Sequence, residues 1–241
     1  PWPHGPMAPW PHGPMAPWPH GGRFLKDEEE EAESEWICKP ESLHTFLTRH
    51  LVATERSMLI GCGNSRMGEW LYEMGFHNQV NTDISKVVID RMRNTHKDKK
   101  GMEWAVDDST KMAFDTASFG QVVDKSLLDC MTYVEEEEYV GCIDKMLREI
   151  YRVLKPGGVA VFSTKQDIEV LVKEVGGMEN AEHWCGLDWT VTWEMVFLKA
   201  DKNGSAEFDA MAVASREELP PGARYSTFYI YVATKPGGAR G

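Results

Sequence analysis

The sequence predicts an α/β fold in which helices cover both faces of an open, mostly parallel sheet. Two observations lead to this prediction. The apolar run at 58–60 enters a turn with Gly61 and Gly63, and a helical pattern and a second apolar run ending at Asp83 follow it. Strand and helix patterns then alternate along much of the chain, as they do in proteins built on parallel sheets.

The glycine turn and the acid after it indicate a nucleoside-cofactor site. Gly61 and Gly63 lack a Cβ, so the backbone can turn tightly and a ligand can approach it closely. Asp83 follows about 20 residues later, where a carboxylate can accept both hydroxyl hydrogens of a ribose. A glycine pair alone also fits an ordinary strand-to-helix turn. The acid at this spacing favours the cofactor site.

The neighbouring residues narrow the choice of cofactor. Arg66 stands where a dinucleotide site has its third glycine, and its side chain would crowd the packing of helix on strand. The sequence has no phosphate loop of the G-x-x-x-x-G-K-[ST] type. Met67 replaces the second glycine that a nucleophile elbow at Ser65 would need. A cofactor with a ribose but no pyrophosphate fits better, and S-adenosylmethionine is such a cofactor.

Four stretches of the sequence resemble a known family: LIGCGNS, NTDIS, DDSTKMAFDTASFGQVVDKSLLDCM and REIYRVLKPGGVAVFS. They resemble class I S-adenosylmethionine-dependent methyltransferases. More narrowly, they resemble the methyltransferase-like family that includes lysine methyltransferases of elongation factor 1-alpha and of citrate synthase. The resemblance covers about residues 36–235. It implies a Rossmann-like sheet of seven strands, mostly parallel, with the last strand antiparallel.

The resemblance also implies which residues hold S-adenosylmethionine and its product S-adenosylhomocysteine. Asp108 is the expected adenine contact and Asp107 the runner-up, although an aspartate at a strand end also serves as a cap. The implied cofactor-binding residues are Gly61, Cys62, Gly63, Asn64, Asp83, Ile84, Asp108, Ser109, Asp124 and Lys125.

Two departures from the family pattern affect the site. Ser126 and Leu127 replace the Gly-Thr that usually follows the Asp-Lys pair, which weakens any transfer of substrate identity. Leu59 replaces an acid that often holds the amino group of the cofactor. The backbone of Gly61 or Asp124 is the expected substitute for that contact.

Methyl transfer needs alignment of the acceptor more than it needs a reactive side chain, so we expect no essential nucleophile. Asp124, Asp129 and Tyr133 are candidates for orienting an acceptor amine. An ordinary loop ion pair of Lys125 and Asp129 is the structural alternative. No metal site is expected.

Periodicity predicts the remaining elements. A helix is expected at 42–51, and a second helix begins near Arg66, with Asn64 or Ser65 as its cap and Gly75 as its end. Further helices are expected at 86–92, 135–154 and 168–175. Further strands are expected at 102–106, 120–123, 159–163, 189–197, 207–213 and 227–233, with a hairpin turn at 203–204.

Composition limits the partners and the compartment. The net charge of −12 disfavours nucleic acid and is compatible with a basic partner, such as a protein substrate with an accessible lysine. The five cysteines form no C-x-x-C pair and are expected to be free thiols in a reducing compartment, hence a cytoplasmic location. The sequence contains no signal peptide and no apolar run of membrane-spanning length.

The first 35 residues differ in composition from the rest. Residues 1–20 contain two copies of PWPHGPMA and half of a third, and residues 27–35 are mostly acidic. Proline and glycine at this density oppose a packed helix or sheet. We therefore expect a disordered tail at 1–35 and a methyltransferase domain at 36–241. His4, His12 and His20 recur every repeat and can bind copper or zinc weakly, but a tail without a catalytic role is favoured.

Three functions remain open from the sequence. The leading prediction is a protein-lysine methyltransferase. The alternatives are a methyltransferase acting on a small molecule and a non-catalytic scaffold protein that binds S-adenosylmethionine. The sequence does not predict the oligomeric state.

Overall fold

Eight strands form one sheet in the computed structural model, which describes residues 35–132, 141–167, 184–200, 206–212 and 224–237. The strands are β1 (Ser57–Ile60), β2 (Gln79–Asp83), β3 (Met102–Val106), β4 (Phe119–Lys125), β5 (Leu154–Thr164), β6 (Thr190–Ala200), β7 (Ala206–Ala212) and β8 (Arg224–Thr234). The α-helices of the described ranges are α1 (His44–His50), α2 (Met67–Glu73), α3 (Lys86–Thr95), α4 (Leu127–Thr132) and α5 (Cys142–Val153).

The strand order is β3-β2-β1-β4-β5-β8-β6-β7. Strands β1 to β5 pair in parallel, and β8 pairs antiparallel with both β5 and β6. This confirms the mostly parallel sheet with an antiparallel last strand. The hairpin strand β7 pairs antiparallel with β6 at the sheet edge and adds one strand to the seven that the resemblance implies. The order reverses between β1 and β4, where open α/β sheets bind their ligands.

Apolar clusters lie on both faces of the sheet, as the predicted fold requires. Strand β1 is buried along its whole length, because a central parallel strand is covered from both sides. One cluster includes Leu47 of α1, Leu71 of α2 and Ile89 of α3. The other includes the apolar side of α5.

Helix α5 follows the predicted apolar stripe, but it begins at Cys142, after a left-handed Gly141 that was predicted to be helical, and it ends one residue earlier than predicted. Ile143, Leu147 and Ile150 are buried on one side of it. Leu154, predicted as its last residue, instead begins β5 in an extended conformation and pairs with Phe119 of β4. The prediction was wrong there because pairing within the sheet captures the residue. The predicted helical residues 135–140, the helix at 168–175 and the turn at 203–204 lie outside the described residues.

All five cysteines are free thiols, as predicted. Burial is the main reason that the pKa of Cys38, Cys130 and Cys185 rises to about 12, so these thiols stay protonated at neutral pH. Among the helices that the structure describes, none has the length and apolar character needed to cross a membrane.

Candidate cofactor site at the carboxyl edge of the sheet

The glycine turn after β1 uses its two glycines in different ways. Both have a left-handed backbone, with φ of +56° at Gly61 and +51° at Gly63. A Cβ on Gly61 would lie 2.8 Å from the Cβ of Leu127, so this glycine allows the turn to pack against α4. A Cβ on Gly63 would meet no described atom within 4 Å. The backbone at Gly63 therefore borders open space, as close approach of a ligand requires.

Asp83 at the end of β2 joins the turn to the next strand. Its Oδ2 accepts a hydrogen bond from the Gly63 N–H at 2.9 Å, and its Oδ1 accepts one from the Ser85 N–H at 2.8 Å. Desolvation by burial raises the pKa of this carboxyl, and the hydrogen bonds from the backbone oppose that rise. Each oxygen keeps a second lone pair, so the carboxylate can still accept two hydroxyl hydrogens.

Cys62 contributes its backbone to the same turn. Its N–H donates to the Thr82 carbonyl at 2.9 Å, which aligns the turn with the end of β2. The side chain is buried, and desolvation raises the pKa of the thiol. The following residue pair, Asn64 and Ser65, is half-buried at the start of α2.

The N-cap of α2 is Arg66, which makes no capping bond with its side chain, so neither predicted cap occupies that position; Ser65 lies one residue earlier. Its Oγ accepts from the Met67 N–H at 3.0 Å. The helix begins at Met67, one residue from the predicted position, and Gly75 at φ +97° follows its end. Such a glycine provides the left-handed residue that commonly ends a helix.

Glu35 is a residue of this site that sequence reasoning assigned to the acidic tail. Its Oε1 accepts from the Arg66 N–H at 2.7 Å, and its Oε2 accepts from the Ser65 hydroxyl at 2.9 Å. The same Oε2 lies 2.8 Å from Lys125 Nζ, whose side chain is 3% exposed. Glu35 thus connects the end of β4 to the start of α2.

Residues 35–38, which we call the N-terminal strap, cross the site in a tight turn. The Trp36 carbonyl accepts from the Cys38 N–H at 2.7 Å and from Lys125 Nζ at 2.9 Å. Between them Ile37 has φ of +64°, a strained γ-turn conformation for a β-branched residue. Such strain persists only where surrounding contacts impose it, and the contacts of Lys125 do so here.

Asp107 and Asp108 at the end of β3 have different environments. Asp107 is buried, and its Oδ1 accepts from the Ala113 N–H at 2.9 Å. Asp108 is exposed, and its Oδ1 accepts from both the N–H and the hydroxyl of Thr110. The exposed carboxylate of Asp108 keeps the better access to a ligand, and Ser109 beside it is half-buried.

Two exposed apolar side chains lie at the same edge of the sheet. Ile84 follows Asp83, and Val106 pairs with Asp83 across the β2–β3 ladder. Their exposed fractions are 36% and 49%. Together they give an apolar surface beside the carboxylate of Asp83.

Asp124 at the end of β4 caps helix α4. Its Oδ1 accepts from the Leu127 N–H at 2.7 Å and its Oδ2 from the Leu128 N–H at 3.1 Å. The side chain is fully buried, and desolvation raises the pKa of the carboxyl to about 7. Both oxygens therefore serve the turn between β4 and α4.

Asp129 on α4 is buried but only half satisfied. Its Oδ1 accepts from the Thr164 hydroxyl and from the Lys165 N–H, each at 2.9 Å. Its Oδ2 has no hydrogen-bond partner among the described residues, and burial raises the pKa of the carboxyl. Tyr133, the third predicted acceptor-orienting residue, lies outside the described residues.

The strand order and the glycine turn with its neighbouring acid agree with the resemblance to class I S-adenosylmethionine-dependent methyltransferases. Residues 58–162 match a family model described as a methyltransferase domain. This range begins in β1 and ends in β5, so it contains the glycine turn, Asp83 and the ends of β3 and β4. This part of the chain is thus similar to a methyltransferase domain.

Curated relatives are similar over much of the chain. A Bos taurus protein named eEF1A lysine and N-terminal methyltransferase is 34% identical over 174 residues, 72% of this chain and 24% of that protein. A Mus musculus protein named EEF1A lysine methyltransferase 4 is 31% identical over 139 residues, 55% of this chain and 54% of that protein. The chain thus spans about a quarter of the first relative and about half of the second.

Solved structures agree on the fold. A protein described as the [4+2]-cyclase SpnF superposes with a TM-score of 0.53 at 15% identity, covering 86% of both chains. The YcgJ protein from Bacillus subtilis gives a TM-score of 0.51 at 11% identity, covering 82% of this chain and 99% of its own. At these identities the likeness shows the fold alone.

Proposed function

We propose that this chain transfers a methyl group from S-adenosylmethionine to a lysine side chain of a protein. The observation that carries the proposal is the 2.9 Å hydrogen bond from the Gly63 N–H to Asp83, which joins an open glycine turn to an acid on the neighbouring strand. The relatives named as eEF1A lysine methyltransferases support a protein lysine as the acceptor. The acidic net charge of the chain suits a basic partner better than nucleic acid. Cytoplasmic location is part of the proposal.

The nucleoside half of the cofactor has suitable partners at the ends of β2 and β3. We assign the ribose hydroxyls to the free lone pairs of Asp83. Ile84 and Val106 offer apolar contact to the faces of adenine. Asp108 accepts from the adenine amino group, and the Ser109 backbone donates to a ring nitrogen.

The methionine half is assigned to the glycine turn and the end of β4. The backbone from Gly61 to Asn64 allows its close approach, while the N–H groups of Cys62 and Gly63 already donate to Thr82 and Asp83. Because both carboxylate oxygens of Asp124 cap α4, this residue contributes its backbone. Lys125 acts by fixing the N-terminal strap through Glu35.

The bound cofactor supplies a methyl group on a sulfonium, which already has a good leaving group. The residues of the chain have to align the acceptor amine and receive its proton. Asp129 suits this role best of the sequence candidates, since its buried Oδ2 lacks a partner among the described residues. An ammonium group or a proton would satisfy that oxygen. No nucleophile is needed.

The test is incubation with labelled S-adenosylmethionine and a proteome lysate, followed by residue analysis of labelled bands. Methyl-lysine on a protein band, lost in Asp83→Ala and kept in Asp90→Ala, would support the proposal. Asp90 is a suitable control because it is an exposed acid on α3 that pairs with Arg93. Label only in the small-molecule fraction would favour the second function, and cofactor binding without transfer would favour the scaffold. Failure to bind S-adenosylhomocysteine would refute all three.

A further inference from the structure

The loop between β3 and β4 carries Asp108 and Ser109, and two side chains of α5 bind its backbone. Arg152 donates from Nη1 to the Phe114 carbonyl at 2.7 Å and from Nη2 to the Met112 carbonyl at 3.0 Å. Glu149 accepts from the Met112 N–H at 2.8 Å. Three backbone groups within three residues of the loop are therefore bound by one pair of side chains.

Glu149 and Arg152 also bind each other in a bidentate pair. Arg152 Nη2 lies 2.7 Å from Glu149 Oε2, and Arg152 Nε donates to Oε1 at 2.8 Å. The hydrogen bond from Arg152 lowers the pKa of the Glu149 carboxyl, so both groups remain charged at neutral pH. The planar guanidinium thus donates two hydrogen bonds to the Glu149 carboxylate and two to carbonyl groups of the loop. Lysine cannot reproduce this geometry.

The loop does not need this pair for its burial. Met112 is buried in the core cluster beside α5, and Phe114 packs edge-on against Phe119. Apolar packing holds the loop against the sheet, while the charged pair sets the position of its backbone. That backbone continues directly from Asp108 and Ser109.

We propose that Glu149 and Arg152 are positioning residues for the nucleoside half of the cofactor, acting through the loop at 107–115. This inference rests on the proposed function, because it assumes that the end of β3 contacts adenine. Arg152, the first residue of the R-V-L-K-P-G-G stretch, would thus influence a cofactor site that its side chain does not contact.

The test compares two ligands, S-adenosylhomocysteine and 5′-methylthioadenosine, by calorimetry well below the unfolding temperature. The second ligand lacks the amino and carboxylate groups of the first. We expect Arg152→Met to weaken both ligands by the same factor, about tenfold, because a displaced loop weakens a hydrogen bond and contact to adenine. The KM for S-adenosylmethionine should rise similarly, with kcat unchanged at saturation.

Arg148→Met is the matched control. Arg148 lies one turn earlier on α5, pairs with Asp144 at 2.8 Å and donates to the Cys185 carbonyl, away from the loop. It should leave both ligand affinities unchanged. Glu149→Gln keeps an acceptor for the Met112 N–H but loses the charge, and should weaken both ligands by less than Arg152→Met. It also provides a second variant if Arg152→Met does not fold.

Unchanged affinity for both ligands in the folded variants would overturn the inference, as would weakening of S-adenosylhomocysteine alone. An equal loss of affinity in Arg148→Met would show that Arg152 acts only through the general stability of the helix, and this result would also overturn the inference. If the parent protein binds neither ligand, the proposed function itself fails, which is a separate result.

Discussion

Alanine at Gly61 and alanine at Gly63 should separate folding from cofactor binding. Both positions have a left-handed backbone, with φ of +56° and +51°, which costs roughly 1–2 kcal/mol for a residue with a Cβ. This strain is common to both variants. Any further difference between them comes from what the added methyl group meets.

The structure gives the size of that difference. At Gly61 the methyl would lie 2.8 Å from the Cβ and 2.9 Å from the Cδ1 of Leu127, and overpacking of this kind costs about 1–3 kcal/mol. Leu127 cannot move away easily, since its N–H is bound to Asp124. At Gly63 no described atom lies within 4 Å. The free energy of unfolding should therefore fall by about 1–2 kcal/mol in Gly63→Ala and about 2–5 kcal/mol in Gly61→Ala.

Chemical denaturation measures the stability of both variants, and calorimetry with S-adenosylhomocysteine measures binding. Gly63→Ala should be the more stable variant and should still lose binding by more than about tenfold, because its methyl projects into the space assigned to the cofactor. Equal denaturation midpoints would refute the steric argument at Gly61. If Gly63→Ala binds S-adenosylhomocysteine as the parent does, the proposed close contact between the bound cofactor and the Gly63 backbone is refuted.

Two further variants test the buried charges. Lys125→Met should lower the free energy of unfolding by up to about 3 kcal/mol, because it leaves the mostly buried carboxylate of Glu35 without its ion-pair partner. The control Lys155→Met removes an exposed ion pair with Glu55 and should cost less than about 1 kcal/mol. Equal losses of the two variants in chemical denaturation would contradict this prediction. Burial raises the pKa of the Asp124 carboxyl from 3.8 in the unfolded chain to about 7 in the folded protein. Between these two pH values the folded state binds more protons than the unfolded state. The parent protein should therefore lose stability relative to Asp124→Asn as the pH rises from 5 to 7. The slope cannot exceed roughly 1.4 kcal/mol per pH unit, and a flat difference in denaturation across this range would show that the carboxyl is ionised throughout.

The sheet and the centre of the site could be predicted because their signals are local. Gly61, Gly63 and Asp83 belong to adjacent elements of one strand–helix–strand unit. Parallel pairing of β1 with β2 brings the turn and the acid to the same edge. The alternation of strands and helices then left few possible topologies. The proposed adenine contacts at the end of β3 follow from the same rule, since β3 pairs beside β2.

The remaining contacts depend on pairs that are distant in sequence and carry no periodic signal. Glu35 stands at the end of a run of acids and resembles its neighbours in composition, yet its carboxylate pairs with the buried Lys125. Arg152 lies in a helix whose charges suit the helix dipole, which explains their presence without any contact to the loop. Asp124 is read from the sequence as facing a ligand, although its oxygens bind the next turn of its own chain. Each of these contacts is determined by which residues lie close together in the folded sheet.

The acids at the carboxyl edge first stabilise the turns that form the site. Asp83, Asp107 and Asp124 lie at or next to the end of a parallel strand, and each accepts a hydrogen bond from a backbone N–H in the segment that follows it. Removal of any of them would leave partly buried N–H groups without an acceptor, at up to about 1–3 kcal/mol each. A loss of binding after such a substitution therefore does not by itself identify a ligand contact. Gly63 is the better test of the cofactor site, because the open space beside it separates contact with a ligand from support of the turn.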